Sequence, residues 1–198
     1  MEKPLLILDL DETLIYSVDK KNYLNNGYDL IIDNEYFTKK RPYVDEFIQS
    51  VKEHYNLAVW TAATEDYGQI IINELFFKNN IKLEFFFSRE KCIPKEKPRS
   101  MYDYFPERYY IKDLSKIKKL YKLEKVLMVD DLPIGLQRQY GNLIRVNPFT
   151  GNDEDQELKY LEKYLIDIKD ELNFRTIEKR NWIDSISIKT TSNKMKIK

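Results

Sequence analysis

A single cysteine, Cys92, and a single histidine, His54, exclude most nucleophile and metal chemistry built on those side chains. One cysteine cannot close a disulfide within the chain, which agrees with a reducing compartment. Arg99 follows Cys92 by seven positions, one more than a Cys-x5-Arg phosphate loop allows, and Pro94 and Pro98 remove amides that such a loop needs. A buried, structural cysteine is the expectation. His54 lies in Lys52-Glu53-His54-Tyr55 near the end of a predicted helix and is expected to be exposed, so a Ser-His or Cys-His mechanism has little support. An excess charge of either sign is also missing: Lys+Arg and Asp+Glu both number 33, which gives no general attraction to nucleic acid or to an anionic membrane. No long hydrophobic run is present. Leu5 to Leu8 and Val126 to Val129 fall far short of the roughly 18 apolar residues of a membrane span. The short run after Lys3 is broken by Asp9 and Asp11 before it could serve as a signal-peptide core. A cytoplasmic location is expected, or a nuclear one in a eukaryote.

What the sequence does contain is an ordinary globular composition, 42% hydrophobic and 33% charged, in a chain of 198 residues. One domain over residues 1–182 is expected, followed by a polar, basic tail over 183–198. Pro4 to Leu10 reads as a strand buried on both faces that ends in an acidic turn. Leu57 to Thr61, Leu83 to Phe87, Lys125 to Asp130 and Leu143 to Val146 repeat the strand pattern. Helices are predicted from Pro42, with Val44, Phe47, Ile48 and Val51 on one face, over Glu65 to Phe77, and over Glu157 to Leu172. Alternating strands and helices predict an α/β fold, a Rossmann-like parallel sheet flanked by helices, whose ligands gather at the carboxyl ends of the strands. Asn25-Asn26-Gly27 and Asp33-Asn34 punctuate short apolar runs, so residues 16–40 read as a small hairpin insertion. The 15 tyrosines and 10 phenylalanines are assigned to core and hairpin faces.

The candidate chemistry falls at strand ends. Asp9-Leu10-Asp11-Glu12-Thr13 follows the first strand, and Asp130-Asp131 ends a later one. Acidic pairs held close together call for a compensating cation or proton, although such a pair can equally cap a helix or sit solvated in a turn. Thr61 ends the second strand, where its hydroxyl could reach a phosphate oxygen or simply cap the next helix. Lys112, between Tyr110-Ile111 and Asp113-Leu114-Ser115, presents a cation at a strand-to-helix junction. Together, a magnesium and phosphate site is the economical explanation.

The ordered set Asp9-x-Asp11-x-Thr13, Thr61, Lys112 and Asp130-Asp131 resembles the haloacid dehalogenase superfamily of phosphatases. Lys40-Arg41-Pro42-Tyr43-Val44-Asp45-Glu46-Phe47, Ser88-Arg89-Glu90-Lys91-Cys92 and Tyr110-Ile111-Lys112-Asp113-Leu114-Ser115 narrow the resemblance to the NLI-interacting-factor-like branch, which dephosphorylates the C-terminal domain of RNA polymerase II. It extends over about residues 4–170, and the segment Arg175 to Trp182 looks similar to bacterial members. Two departures stand out: Asp131 replaces an asparagine found in several members, and residues 93–108 are longer and more basic than the usual link.

The resemblance implies that Asp9 is the nucleophile, forming an aspartyl-phosphate, and that Asp11 is the general acid and then base. It implies magnesium held by the side chains of Asp9 and Asp131 and by the backbone carbonyl of Asp11. Thr61 and Lys112 would bind phosphoryl oxygens, Asp130 would fix Lys112 or a metal-bound water, and Arg89 and Tyr67 would touch the substrate. The segments before and after Thr61 leave no room for a large cap domain, which points to phosphoserine or phosphothreonine in a protein. A small-metabolite phosphatase is the alternative, as is a non-catalytic polypeptide-binding module, the use made of the fold by a subunit of the mitochondrial inner-membrane translocase. The retained acidic, threonine and lysine positions disfavour the latter. Neither nucleic acid nor a membrane is an expected partner.

Overall fold

A computed structural model describes residues 3–23, 27–96 and 108–186. Its centre is a five-stranded parallel sheet in the order β10-β9-β1-β5-β6, built from β1 (Leu5–Leu8), β5 (Asn56–Trp60), β6 (Phe86–Phe87), β9 (Val126–Asp130) and β10 (Leu143–Arg145). Side-chain alternation along these strands divides the core in two. Leu6, Leu8, Leu57, Val59, Leu127 and Val129 face one side, while Leu5, Ile7, Ala58, Trp60, Val126 and Met128 face the other. This explains why the strands read as continuous apolar runs, since both faces are covered.

Three α-helices pack on the first face: α1 (Val44–Val51), α2 (Glu65–Leu75) and α3 (Glu157–Ile168). Val44, Phe47, Ile48 and Val51 are all buried, as their helical spacing predicts. Pro42, however, lies ahead of the helix, which begins after Tyr43 in a left-handed conformation at φ 66°. The second face is closed by short 3-10 turns carrying Leu114, Ile117 and Leu136, and by Cys92. Cys92 is buried, and Trp60 Nε1 donates to its sulfur at 3.3 Å, in keeping with a structural role. Its thiol is pushed up, chiefly by burial.

His54 is half-buried rather than exposed, because the turn leaving α1 folds back so that its amide donates to Val51 O and the adjacent Tyr55 enters the core. The predicted strand over Leu83 to Phe87 shortens to β6, although Val59 N donates to Phe85 O ahead of it.

The insertion is a three-stranded antiparallel sheet rather than a simple hairpin: β2 (Ile15–Asp19), β3 (Leu30–Ile32) and β4 (Tyr36–Lys40), in the order β2-β4-β3. β7 (Ile93–Glu96) and β8 (Arg108–Ile111) form an antiparallel ribbon separate from the main sheet, so the strand preceding Lys112 belongs to that ribbon. The rest of the 93–108 link and most of the tail lie outside the described residues. No large cap stands over the carboxyl ends of the strands among the described residues.

Candidate active site

Residues 9–15 leave β1 in a tight loop in which Thr13, Leu14 and Ile15 amides all donate to Leu10 O. Glu12 takes φ 56° there, a left-handed conformation unusual for a non-glycine residue, and is held by bonds from its amide to Ile15 O and from Phe149 N to its carbonyl. Beneath the loop lies Arg41, 1% exposed. Its Nε and Nη2 each bond Asp155 at 2.9 Å, and its Nη1 donates to Thr13 O at 3.1 Å. The bidentate pair to Asp155 locks the guanidinium, whose Nη1 in turn holds the loop at Thr13 O.

The parallel order of β9, β1 and β5 delivers Asp130-Asp131, Asp9 and Thr61 to one edge of the sheet. Asp9, Thr61, Lys112, Asp130 and Asp131 are all buried. Lys112 Nζ lies 2.7 Å from Asp9 Oδ1 and 2.7 Å from Asp130 Oδ2, and its backbone amide is anchored on Gly135 O. An ammonium has three protons, so with two directed at carboxylates one remains to donate elsewhere. Asp130 also accepts from Leu132 N at 2.8 Å, which commits it to holding Lys112 and the turn beyond. Thr13 Oγ1 donates to Asp131 Oδ1 at 3.3 Å, while Asp131 Oδ2 is buried with no hydrogen-bond partner. Thr61 Oγ1 accepts from Ala63 N at 3.0 Å, so it caps the following turn and keeps its own proton to donate.

These placements shift the acids upward. Burial raises Asp9 well above the usual carboxylate range against the pull of Lys112, with Asp130 adding repulsion. Asp131 is pushed up to about 6 by burial, then by Asp130 and Glu12. Burial also raises Asp11, opposed by the hydrogen bond from Tyr67. For Lys112 burial works against the charge, yet Asp130 and Asp9 hold it above its ordinary value.

Oxygen atoms of Asp9, Asp130 and Asp131 lie within 4.8 Å of one another. Three carboxylates against one ammonium leave two negative charges uncompensated, and Asp131 Oδ2 lacks a partner; both facts suit a hard divalent cation. The all-oxygen donor set suits magnesium.

A cleft of about 680 Å³ opens over this cluster. Asp9, Asp11, Thr61 and Asp131 line it, together with Tyr36, Tyr67 and Arg89. Arg89 is held by a 2.7 Å bond from its Nε to Ala62 O and by its guanidinium over the Tyr110 ring at 5.1 Å. Tyr67 lines the cleft too, but its hydroxyl is committed to Asp11 Oδ1 at 2.6 Å and to Ser17 Oγ at 2.6 Å. The structure thus brings every predicted site residue to one place. Sequence reasoning missed Ser17, and no local motif marks it, since its position beside Tyr67 depends on how the insertion docks.

Paired carboxylates and a lysine at the carboxyl edge of a parallel sheet, with no large cap among the described residues, define a phosphatase fold of the haloacid dehalogenase class. The NLI interacting factor-like phosphatase family matches residues 4–175, and the chain belongs to it. It is 29% identical to CTD small phosphatase-like protein 2 of Dictyostelium discoideum, over 81% of this chain but only 26% of that protein. The CTD nuclear envelope phosphatase 1 homolog of Drosophila melanogaster is 29% identical over 91% of this chain and 74% of its own. Among solved structures, Fcp1, an essential RNA polymerase II CTD phosphatase, shares the fold with a TM-score of 0.62 at 19% identity, covering 84% of this chain and 62% of that one. No helix among the described residues is long and apolar enough to cross a membrane.

Proposed function

We propose that the protein is a magnesium-dependent phosphatase that acts through an aspartyl-phosphate on Asp9, with phosphoserine or phosphothreonine of a polypeptide as substrate. The observation that carries this reading is that Asp9, in the lining of an open cleft, lies 2.7 Å from Lys112 Nζ and has an oxygen within 4.8 Å of one from Asp131, with a second acid, Asp11, in the same lining.

The side chains of Asp9 and Asp131 and the carbonyl of Asp11 would hold the magnesium. When bound, the ion offsets the repulsion between an anionic nucleophile and an anionic substrate. An Asp9 oxygen attacks phosphorus while the bond to the seryl or threonyl oxygen breaks, and Asp11 gives its proton to that oxygen. In the second half Asp11 takes a proton from water, the water oxygen attacks phosphorus, and the Asp9–phosphorus bond breaks to release phosphate. Thr61 Oγ1 and the remaining Lys112 proton bind the equatorial oxygens, where charge is spread in the transition state.

The open cleft, with no large cap over it among the described residues, favours a polypeptide over a small metabolite, and the names of the relatives support phosphatase activity. A purely binding role would give no reason to keep three buried carboxylates around one lysine. The test compares kcat/KM for phosphoserine peptides and for sugar and nucleotide phosphates in saturating magnesium, with Asp9→Asn as control. Peptides turned over faster, and a dead but folded Asp9→Asn, are expected. Full turnover by Asp9→Asn would remove the nucleophile assignment, and far faster turnover of a metabolite would remove the polypeptide assignment.

A further inference from the structure

Tyr67 lines the cleft, yet its hydroxyl reaches Asp11 instead of open solvent, and behind it runs a chain of hydroxyls. Ser17 Oγ lies 2.6 Å from Tyr67 Oη, and Thr38 Oγ1 lies 2.7 Å from Ser17 Oγ. Ser17 and Thr38 face each other in register on β2 and β4, so both belong to the insertion. Thr38 is wholly buried.

Counting protons sets the direction of the chain. A phenol keeps its proton near neutral pH, and Tyr67 gives its only one to Asp11 Oδ1. The contact with Ser17 must then be donated by Ser17, which uses the only serine proton. Thr38 must in turn donate to Ser17. The run Thr38 to Ser17 to Tyr67 to Asp11 is therefore polarised one way, toward the carboxylate, and each bond strengthens the next.

From this geometry we infer that the insertion serves as a brace for the general acid: Thr38, Ser17 and Tyr67 are positioning residues that hold Asp11 Oδ1 as an acceptor and so reserve Oδ2 as the oxygen that carries the proton to the leaving group. An undirected carboxyl group could place its proton on either oxygen and rotate. With Oδ1 pinned by a phenol, one orientation and one proton-bearing atom are selected, which is how positioning contributes to proton transfer. The inference rests on Asp11 acting as the general acid. It also gives the insertion a role that covering the cleft would not, since its contact with the chemistry runs through two hydroxyl side chains on paired strands.

The test uses a series of aryl phosphates from dinitrophenyl to unsubstituted phenyl phosphate, in saturating magnesium, with kcat/KM reporting phosphoryl transfer to Asp9. Good leaving groups need little protonation and poor ones need it most. Tyr67→Phe is expected to lose activity about 30-fold on phenyl phosphate but only about 3-fold on dinitrophenyl phosphate, part of the 10²- to 10⁴-fold that a general acid supplies. Ser17→Ala should steepen the dependence in the same direction by a smaller factor, and Ser17→Thr should restore it. Thermal midpoints check that the variants fold, and Ser17→Ala decides the matter should Tyr67→Phe not fold. An equal loss on every leaving group, no loss, or a loss seen only as a raised KM would overturn the brace. Asp11→Asn separates the two levels. If it steepens the dependence and neither Tyr67→Phe nor Ser17→Ala does, only the brace fails; if it leaves the dependence flat, Asp11 is not the acid and the brace falls with it.

Discussion

Lys112 Nζ stands 2.7 Å from Asp9 Oδ1 and 2.7 Å from Asp130 Oδ2, with all three side chains buried. One ammonium thus orients the carboxylate proposed as nucleophile and neutralises the one behind it. Lys112→Met should lower kcat/KM at least about 100-fold, as removal of a preorganised charge in a closed site does. It should also destabilise the protein by about 3–5 kcal/mol, because buried carboxylates are left uncompensated. Adding Asp130→Asn removes one of those charges, so the double variant should be more stable than Lys112→Met alone. Urea unfolding of the four proteins of this cycle measures the coupling, and simple additivity would contradict the triad.

Arg41 gives a second expectation, about the loop that shapes the site. Arg41→Ala strips Asp155 of both its guanidinium bonds and Thr13 O of its Nη1 donor. A loss of about 3–5 kcal/mol is expected, with Arg41→Lys recovering little, since an ammonium cannot reproduce the planar fork. Chemical denaturation checks it; a lysine variant as stable as wild type would mean the bidentate geometry is unimportant.

The chain ends of buried strands were legible because Asp9, Thr61 and Asp130-Asp131 each interrupt or end an apolar run, and the parallel order β9-β1-β5 then brings them together. Lys112 was legible by its motif, though its strand belongs to the β7–β8 ribbon, whose antiparallel pairing no local signal distinguishes from the main sheet. The strand that the hairpin reading left out is β2 (Ile15–Asp19), because it follows the acidic turn directly and pairs with β4, about 20 residues further along, so no short turn marks the pairing. Tyr67 was expected to touch the substrate, whereas its bond to Asp11 depends on α2 packing closely against β6. Gly68 permits that approach, because a Cβ there would come within 2.7 Å of Phe86 Cζ. Such long-range contacts leave no trace in spacing.

Chelation should abolish turnover and magnesium should restore it, because two carboxylate charges of the cluster have no protein counterion. Calcium should support little activity, as its larger and more variable coordination shell displaces the nucleophile from phosphorus. Turnover of an aryl phosphate after exhaustive chelation, followed by back-titration with each ion, measures this; undiminished activity without metal would contradict the site.

The same uncompensated charge should appear in the pH dependence of stability. Asp131 is held up to about 6 in the folded protein, above the ordinary aspartate value near 3.8. A raised carboxyl binds its proton more tightly when folded than when unfolded. Its contribution is therefore favourable at low pH and is lost as the pH climbs through about 6. In the metal-free protein, Asp131→Asn should accordingly raise the thermal midpoint most above that pH, and the gain should shrink as the pH falls toward the unfolded value. Magnesium should reverse the order at neutral pH, because an amide is the weaker ligand for a hard cation, so the wild type gains more from added metal. Thermal melts of both proteins between pH 4 and pH 8, each with chelator and with magnesium, test the sign directly. A gain from Asp131→Asn that grows toward acid pH would show that the buried oxygen is stabilised as an anion by the protein itself and has no need of a cation.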